Sequence, residues 1–96
     1  MSKTIDLTLI GKSGCHLCDE ARVTVNAVVG AFRAENTGVA RHVQVNLVEH
    51  DILVDEELYK QYSEEVPVLL INGKIHNYWR IDPVRFRAAL DEIISK

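Results

Sequence analysis

Cys15 and Cys18 are the two cysteines of the chain, with two residues between them in the stretch GKSGCHLCDEA, Gly11 to Ala21. Thiols held that close can clip a metal, lie inert in a core, or exchange electrons with a disulfide. Structural zinc takes four ligands, and the remaining candidates are His16, His42, His50 and His76. His16 lies between the cysteines and is poorly directed to join them. The other three are spread over two elements with no paired spacing, so no metal site is expected. Inert cysteines need shelter, whereas Gly11, Ser13 and Gly14 mark an exposed loop end. The redox reading stands ahead of both, because a CxxC beside a βαβ pattern is its usual signature.

That chemistry needs a particular setting. Residues i and i+3 across a helical turn are neighbours, at ~5–6 Å between Cβ atoms. A disulfide needs Cα atoms about 4.4–6.8 Å apart, so the pair can close with little movement. With a helix starting at the motif, Cys15 lies at its positive end, ahead of free backbone N–H groups. That lowers the thiol's pKa and favours the thiolate, which is the nucleophile. Cys18, one turn in, is the more sheltered thiol and suits the resolving step.

The flanking sequence must supply that helix and a strand to aim it. TIDLTLI, Thr4 to Ile10, alternates with Ile5, Leu7 and Leu9 on one side, which predicts a strand. From Cys15 the period changes. Leu17, Ala21, Val25, Val28 and Phe32 mark one stripe of a helix. Asp19 and Glu20 sit in its first turns, where the dipole favours acids, and Gly38 is its expected stop. VTVNAVV inside it suits a strand by propensity, but the longer stripe outweighs the run. RHVQVNLVEHD alternates again through Val43, Val45 and Leu47. Asp55 is placed to cap a short helix carrying Leu58 and Tyr62. VPVLLINGKIHNYW predicts a hairpin on Asn72-Gly73, a type I′ turn whose two positions need φ > 0. Asp82 as N-cap and Pro83 at the first helical position open a last helix, with Phe86, Leu90, Ile93 and Ile94 as its buried stripe. The order is β-α-β-α-β-β-α. The first two strands should be parallel through a right-handed crossover and the last two antiparallel. The expected α/β architecture is a four-stranded mixed sheet flanked by three helices.

Composition bounds the rest. The 96 residues are 47% hydrophobic and 26% charged, which makes one domain, residues 1–96, with one modest core. The net charge is −3, and with no basic run nucleic acid is not an expected partner. No apolar run approaches the ~18–20 residues of a membrane span, so no membrane association is expected. The N-terminus lacks the apolar region and cleavage site of a signal peptide. A cytoplasmic home is expected, where a permanent disulfide would not persist.

KSGCHLCDEA, EVPVLLINGK and the element order together resemble the glutaredoxin-like branch of the thioredoxin-fold proteins, over nearly the whole chain. The first motif is moderately specific. Its combination with a downstream Val66-Pro67, followed at once by a strand and hairpin, is much more so. The resemblance implies a thioredoxin-like fold and a small dithiol-disulfide oxidoreductase. Cys15 would be its nucleophile, Cys18 its resolving thiol, and the two its redox-active disulfide. It also implies a cis Val66-Pro67 bond facing the pair. A proline opening an apolar strand is otherwise odd, because it cannot donate to the ladder; an ordinary trans proline is the alternative.

The substrate-binding positions on this reading are Lys12, His16, Leu17, Val66, Pro67 and Asp82. Lys12 matches a lysine that glutaredoxins often carry upstream of the motif; its alternative is a solvated loop lysine. His16 stands where the family usually has proline. It either supports the thiolate when protonated or is a solvent-facing spacer, and Asp19 and Glu20 oppose it. Trp79 and Arg80 would line a partner-binding rim, unless Trp79 packs on the last helix. Tyr59 and Tyr62 are expected to be core and surface residues with no part in the chemistry.

No tightly bound cofactor is implied, only an electron donor, either glutathione or a thioredoxin-type reductant. The partner is a disulfide-containing protein or a glutathione mixed disulfide, and the chain is expected to be a monomer. Typical glutaredoxins carry a glycine pair after the hairpin, which lets their backbone approach glutathione. Here IHNYWRID, Ile75 to Asp82, has none, so weakened use of glutathione is expected. Two rival readings share the fold: an iron–sulfur or metal carrier using Cys15 in a dimer, and a binding module whose thiols no longer react.

Overall fold

The alternation of Ile5, Leu7 and Leu9 becomes strand β1, Ser2–Gly11, an interior strand of the sheet. The computed structural model describes residues 2–36 and 42–95. Strand β2, His42–Asp51, runs parallel to β1, in register from Ser2 opposite His42 to Gly11 opposite Asp51. Strand β3, Val68–Ile71, pairs antiparallel on the other side of β1, and β4, Lys74–Tyr78, pairs antiparallel with β3. The sheet order is therefore β2-β1-β3-β4. Asn72 and Gly73 join β3 to β4 with φ of 51° and 82°, as a primed turn requires.

Among the described residues, α1, His16–Glu35, and α2, Glu56–Tyr62, connect successive strands, and α3, Pro83–Ser95, follows β4. The β-branched run VTVNAVV lies inside α1. Each such residue costs a helix up to ~0.7 kcal/mol against alanine, whereas burying a valine contributes ~1.5–3 kcal/mol. Val25 and Val29 are fully buried, so packing decides the matter. The buried stripe is Cys18, Ala21, Val25, Val29 and Phe32. It differs from the expected one at two points, where Leu17 and Val28 are only partly covered. Consecutive helical residues are about 100° apart, so either neighbour can serve the stripe. Cys18 takes the inner place because it packs on Gly11 of β1, and this leaves Leu17 on the flank of the helix.

Local chemistry sets the helix ends. Asn36 closes α1, its N–H donating to the Arg33 carbonyl at 3.2 Å; the expected stop at Gly38 lies outside the described residues. Asp55 caps α2 by accepting the Leu58 N–H at 3.1 Å. Asp82 caps α3 by accepting the N–H groups of Val84 and Arg85 at 3.0 and 3.2 Å. Helices α1 and α3 bury Phe32, Phe86 and Leu90 against Ile5, Leu7 and Leu9. Tyr62 of α2 packs instead with Ile10, Ile52 and Val68 in a second cluster, which also holds Cys18. Among the described residues, no helix is long and apolar enough to cross a membrane.

Candidate functional site

Cys15 is the N-cap of α1, in extended backbone conformation, and its Sγ accepts the Cys18 N–H at 3.1 Å. Its carbonyl accepts the Asp19 N–H, also at 3.1 Å. The Cα atoms of Cys15 and Cys18 are 5.2 Å apart and the two are joined as a disulfide. Their access differs: Cys15 is half-buried, while Cys18 is 2% exposed. On reduction, the backbone N–H and the positive helix end favour charge at Cys15, not at the sheltered Cys18.

One arginine serves two of the acids near the pair. Arg22 bridges two acids, reaching Asp19 at 2.9 Å and Glu49 at 3.0 Å. His16 points outward with its side chain 90% exposed, 4.0 Å from Glu20. Asp19, the acid of the first turn, is therefore not left to oppose a Cys15 thiolate alone. Beside Cys18, a cavity of about 240 Å³ is bordered by Lys12, Arg22, Glu49 and Asp51. Asp51 accepts the Ser13 hydroxyl at 2.6 Å and the Leu53 N–H at 2.8 Å. These bonds, the Ser13 one foremost, hold its carboxyl below the usual carboxylate range. The Ile52 N–H donates to the Gly11 carbonyl at 2.9 Å. Together they fasten the loop before the motif to the end of β2.

Val66, which precedes Pro67, shares a buried cluster with Cys18. The Val66-Pro67 peptide bond is cis. Val66 is buried in one cluster with Cys18, Ile52 and Tyr62, and Cys15 packs against it. Its backbone forms no hydrogen bond to the described residues. Pro67 is fixed from the far side, its carbonyl accepting the Trp79 N–H at 2.7 Å. The Trp79 indole Nε1–H donates to the Glu64 carbonyl at 3.3 Å. Trp79 itself sits in the left-handed region, φ 61°, at a cost of about 1–3 kcal/mol for a bulky residue.

Cys15, Cys18, Leu17, Val66 and Pro67 thus gather at one end of the sheet. Lys12 stands at the cavity on the Cys18 side. One carboxylate oxygen of Asp82 is engaged in capping α3. Trp79 stands at the rim, 54% exposed, bonded to the segment before β3. Tyr59 is exposed and Tyr62 buried. Among the described residues, no three His, Cys, Asp or Glu side chains converge to hold a metal ion.

The sequence reading missed three participants. Gly11 read only as loop punctuation, yet a Cβ there would lie 3.2 Å from the Cys18 Cβ and Sγ. Arg22 and Glu49 meet only because α1 lies over β2. The bonds of Trp79 to Glu64 and Pro67 had no signal beyond the absence of the family's glycines.

Comparison with known proteins fits this geometry. No curated protein matches the chain. Among solved structures, XcR50 from X. campestris is 29% identical, with 90% of this chain and 96% of that one covered at a TM-score of 0.64. Protein Ne2328 from Nitrosomonas europaea is 23% identical, covering 88% and 89% at a TM-score of 0.56. The thioredoxin Deadhead from a fruit fly is 15% identical, covering 95% and 82% at a TM-score of 0.59, and shares the fold. The model of the glutaredoxin-like domain matches residues 6–91. With a CxxC at the head of its first helix and a thioredoxin-like fold behind it, the chain belongs to the glutaredoxin-like domain family.

Proposed function

We propose that the protein is a dithiol-disulfide oxidoreductase acting on disulfides of proteins. The Cys15 thiolate attacks one sulfur of a substrate disulfide, forming a mixed disulfide and releasing the other sulfur as a thiolate that takes up a proton. Cys18 then loses its proton and attacks the Cys15 sulfur. The substrate leaves fully reduced, and two electrons have passed from the protein, which now holds the Cys15–Cys18 disulfide. The carrying observation is the unequal pair: a capped, half-buried Cys15 and a buried Cys18 with Cα atoms 5.2 Å apart. The unpaired backbone of Val66 beside them supports an extended peptide as substrate.

The electron donor in this reading is a thioredoxin-type protein thiol, with glutathione a poorer one. Tyr78, Trp79 and Arg80 stand where typical glutaredoxins have the glycines that admit glutathione. The reaction uses no bound cofactor.

Trapping tests the proposal. Cys18→Ser should accumulate a mixed disulfide with a peptide disulfide substrate, and Cys15→Ser should accumulate none. The reverse pattern would overturn the assignment of roles. Absence of any turnover or trapping with titratable thiols would make the fold a binding module.

A further inference from the structure

A groove of about 490 Å³ runs beside the motif, between the flank of α1 and the segment after β4, within the size range of pockets that take small organic groups. Leu17, Ala21, Val23 and Thr24 form one wall, and Trp79 with Ile81 the other. Leu17, two positions from Cys15, is the groove's lining residue nearest the motif in the chain, so the groove begins in the first turn of α1. The charges at its rim are Asp19, already paired with Arg22, and Glu20 on the helix, with Arg80 opposite, so they nearly balance and the apolar walls decide what fits. The Trp79 wall is tied down: its N–H holds the Pro67 carbonyl and its indole N–H the Glu64 carbonyl. A left-handed position accepts glycine without strain. Here it carries the largest side chain, half-exposed and bonded across to the segment that bears Val66.

We propose that Trp79 is a specificity-determining residue, whose indole and the facing wall of α1 hold a large apolar side chain next to the disulfide cysteine of a protein substrate. This rests on the oxidoreductase reading and adds the substrate class. The substrate segment lies along Val66, its cysteine reaches Cys15, and its apolar neighbour fills the groove. An acidic neighbour would have to shed its water against the apolar walls and is rejected.

The test compares peptide mixed disulfides with Phe, Leu, Gly or Glu next to the cysteine. Filling an apolar pocket discriminates by about tenfold or more. The wild-type kcat/KM should therefore be about tenfold higher for Phe and Leu than for Gly, and lowest for Glu. Trp79→Gly keeps the backbone conformation and removes the wall, so the ratio should fall to about twofold. Trp79→Phe should restore most of it. Val23→Asp, on the opposite and exposed wall, should lower the Phe and Leu rates and narrow their advantage over Gly. Trp79 is the single tryptophan of the chain, so its emission reports binding without turnover: an unreactive Phe peptide with serine for cysteine should shift it, and the Gly version should not. Reduction of all four peptides at equal rates, or a ratio that survives Trp79→Gly, overturns the proposal while sparing the oxidoreductase reading. Reduction of none overturns both.

Discussion

Gly11 and Cys18 are in contact so close that a Cβ added to Gly11 would lie 3.2 Å from both the Cβ and the Sγ of Cys18. Gly11 needs no unusual backbone angle; it is small because the resolving cysteine packs on it. Gly30 differs: it lies inside α1 with nothing near its missing side chain. The two glycines should respond oppositely to alanine. Gly11→Ala overpacks the site and should cost about 1–3 kcal/mol. Gly30→Ala should stabilise by about 0.5–1 kcal/mol, because glycine is a poor helix former. Urea unfolding of both variants checks the pair, and a neutral Gly11→Ala would show that Cys18 has room to move.

The hairpin gives a second prediction. Asn72 holds φ 51°, its N–H donates to the Asp6 carbonyl at 2.7 Å, and its Oδ1 accepts the Asp6 N–H at 2.9 Å. Alanine dislikes the left-handed region by roughly 1–2 kcal/mol and cannot accept that N–H. Asn72→Ala should therefore destabilise by about 1–2 kcal/mol in chemical denaturation, and Asn72→Gly by less, because glycine restores the backbone freedom.

That hairpin was legible in the sequence because its chemistry is local: Asn-Gly states its own turn. Asp55 and Asp82 announced their helices for the same reason, and Cys15 declared a helix start through its neighbours. The rotation of α1 was not legible. Leu17 and Cys18 compete for one face, and so do Val28 and Val29, until β1 is placed beneath them. The bridge from Asp19 through Arg22 to Glu49 depends on α1 lying over β2. The indole bond of Trp79 reaches back 15 residues to Glu64, and no periodicity encodes it.

His76 on β4 makes stability depend on pH. It is half-buried with its ring centroid 6.0 Å from that of Phe86, and its Nε2 has no hydrogen-bond partner among the described residues. Desolvation first, and the Arg85 charge on α3 second, push its pKa down. Lys74 on β4 and Glu92 on α3 border the same hollow. As pH falls through the usual histidine range, the unfolded chain takes up a proton that the folded chain refuses. The His76 contribution is thus complete above about pH 6.5 and is lost progressively below it. Urea midpoints at pH 7.5, 6.5 and 5.5 should fall in that order. His76→Leu should flatten the fall relative to wild type, and an unchanged slope would clear His76 of the effect.

The bridge at Arg22 should tune the reactivity of Cys15. Arg22 lies between Asp19 at 2.9 Å and Glu49 at 3.0 Å, and it borders the cavity beside Cys18. Removing it leaves two acids unpaired around the start of α1, where the thiolate must form. Through a water-like medium, one unit charge at about 8 Å is worth ~0.5 kcal/mol, or about two- to threefold in thiolate population. Reduced Arg22→Ala should therefore be alkylated at Cys15 about two- to threefold more slowly at neutral pH, and its rate profile should move to higher pH. The difference should shrink in molar salt, because charges this exposed are screened within a few ångströms there. Arg22→Lys keeps the charge and should stay close to wild type, even without the planar fork. A slow Arg22→Ala that ignores salt, or an equally slow Arg22→Lys, would mean that Arg22 acts by shaping the helix and not by its charge. The alkylated cysteine, identified by mass spectrometry, should be Cys15 in each case, since Cys18 is almost wholly buried.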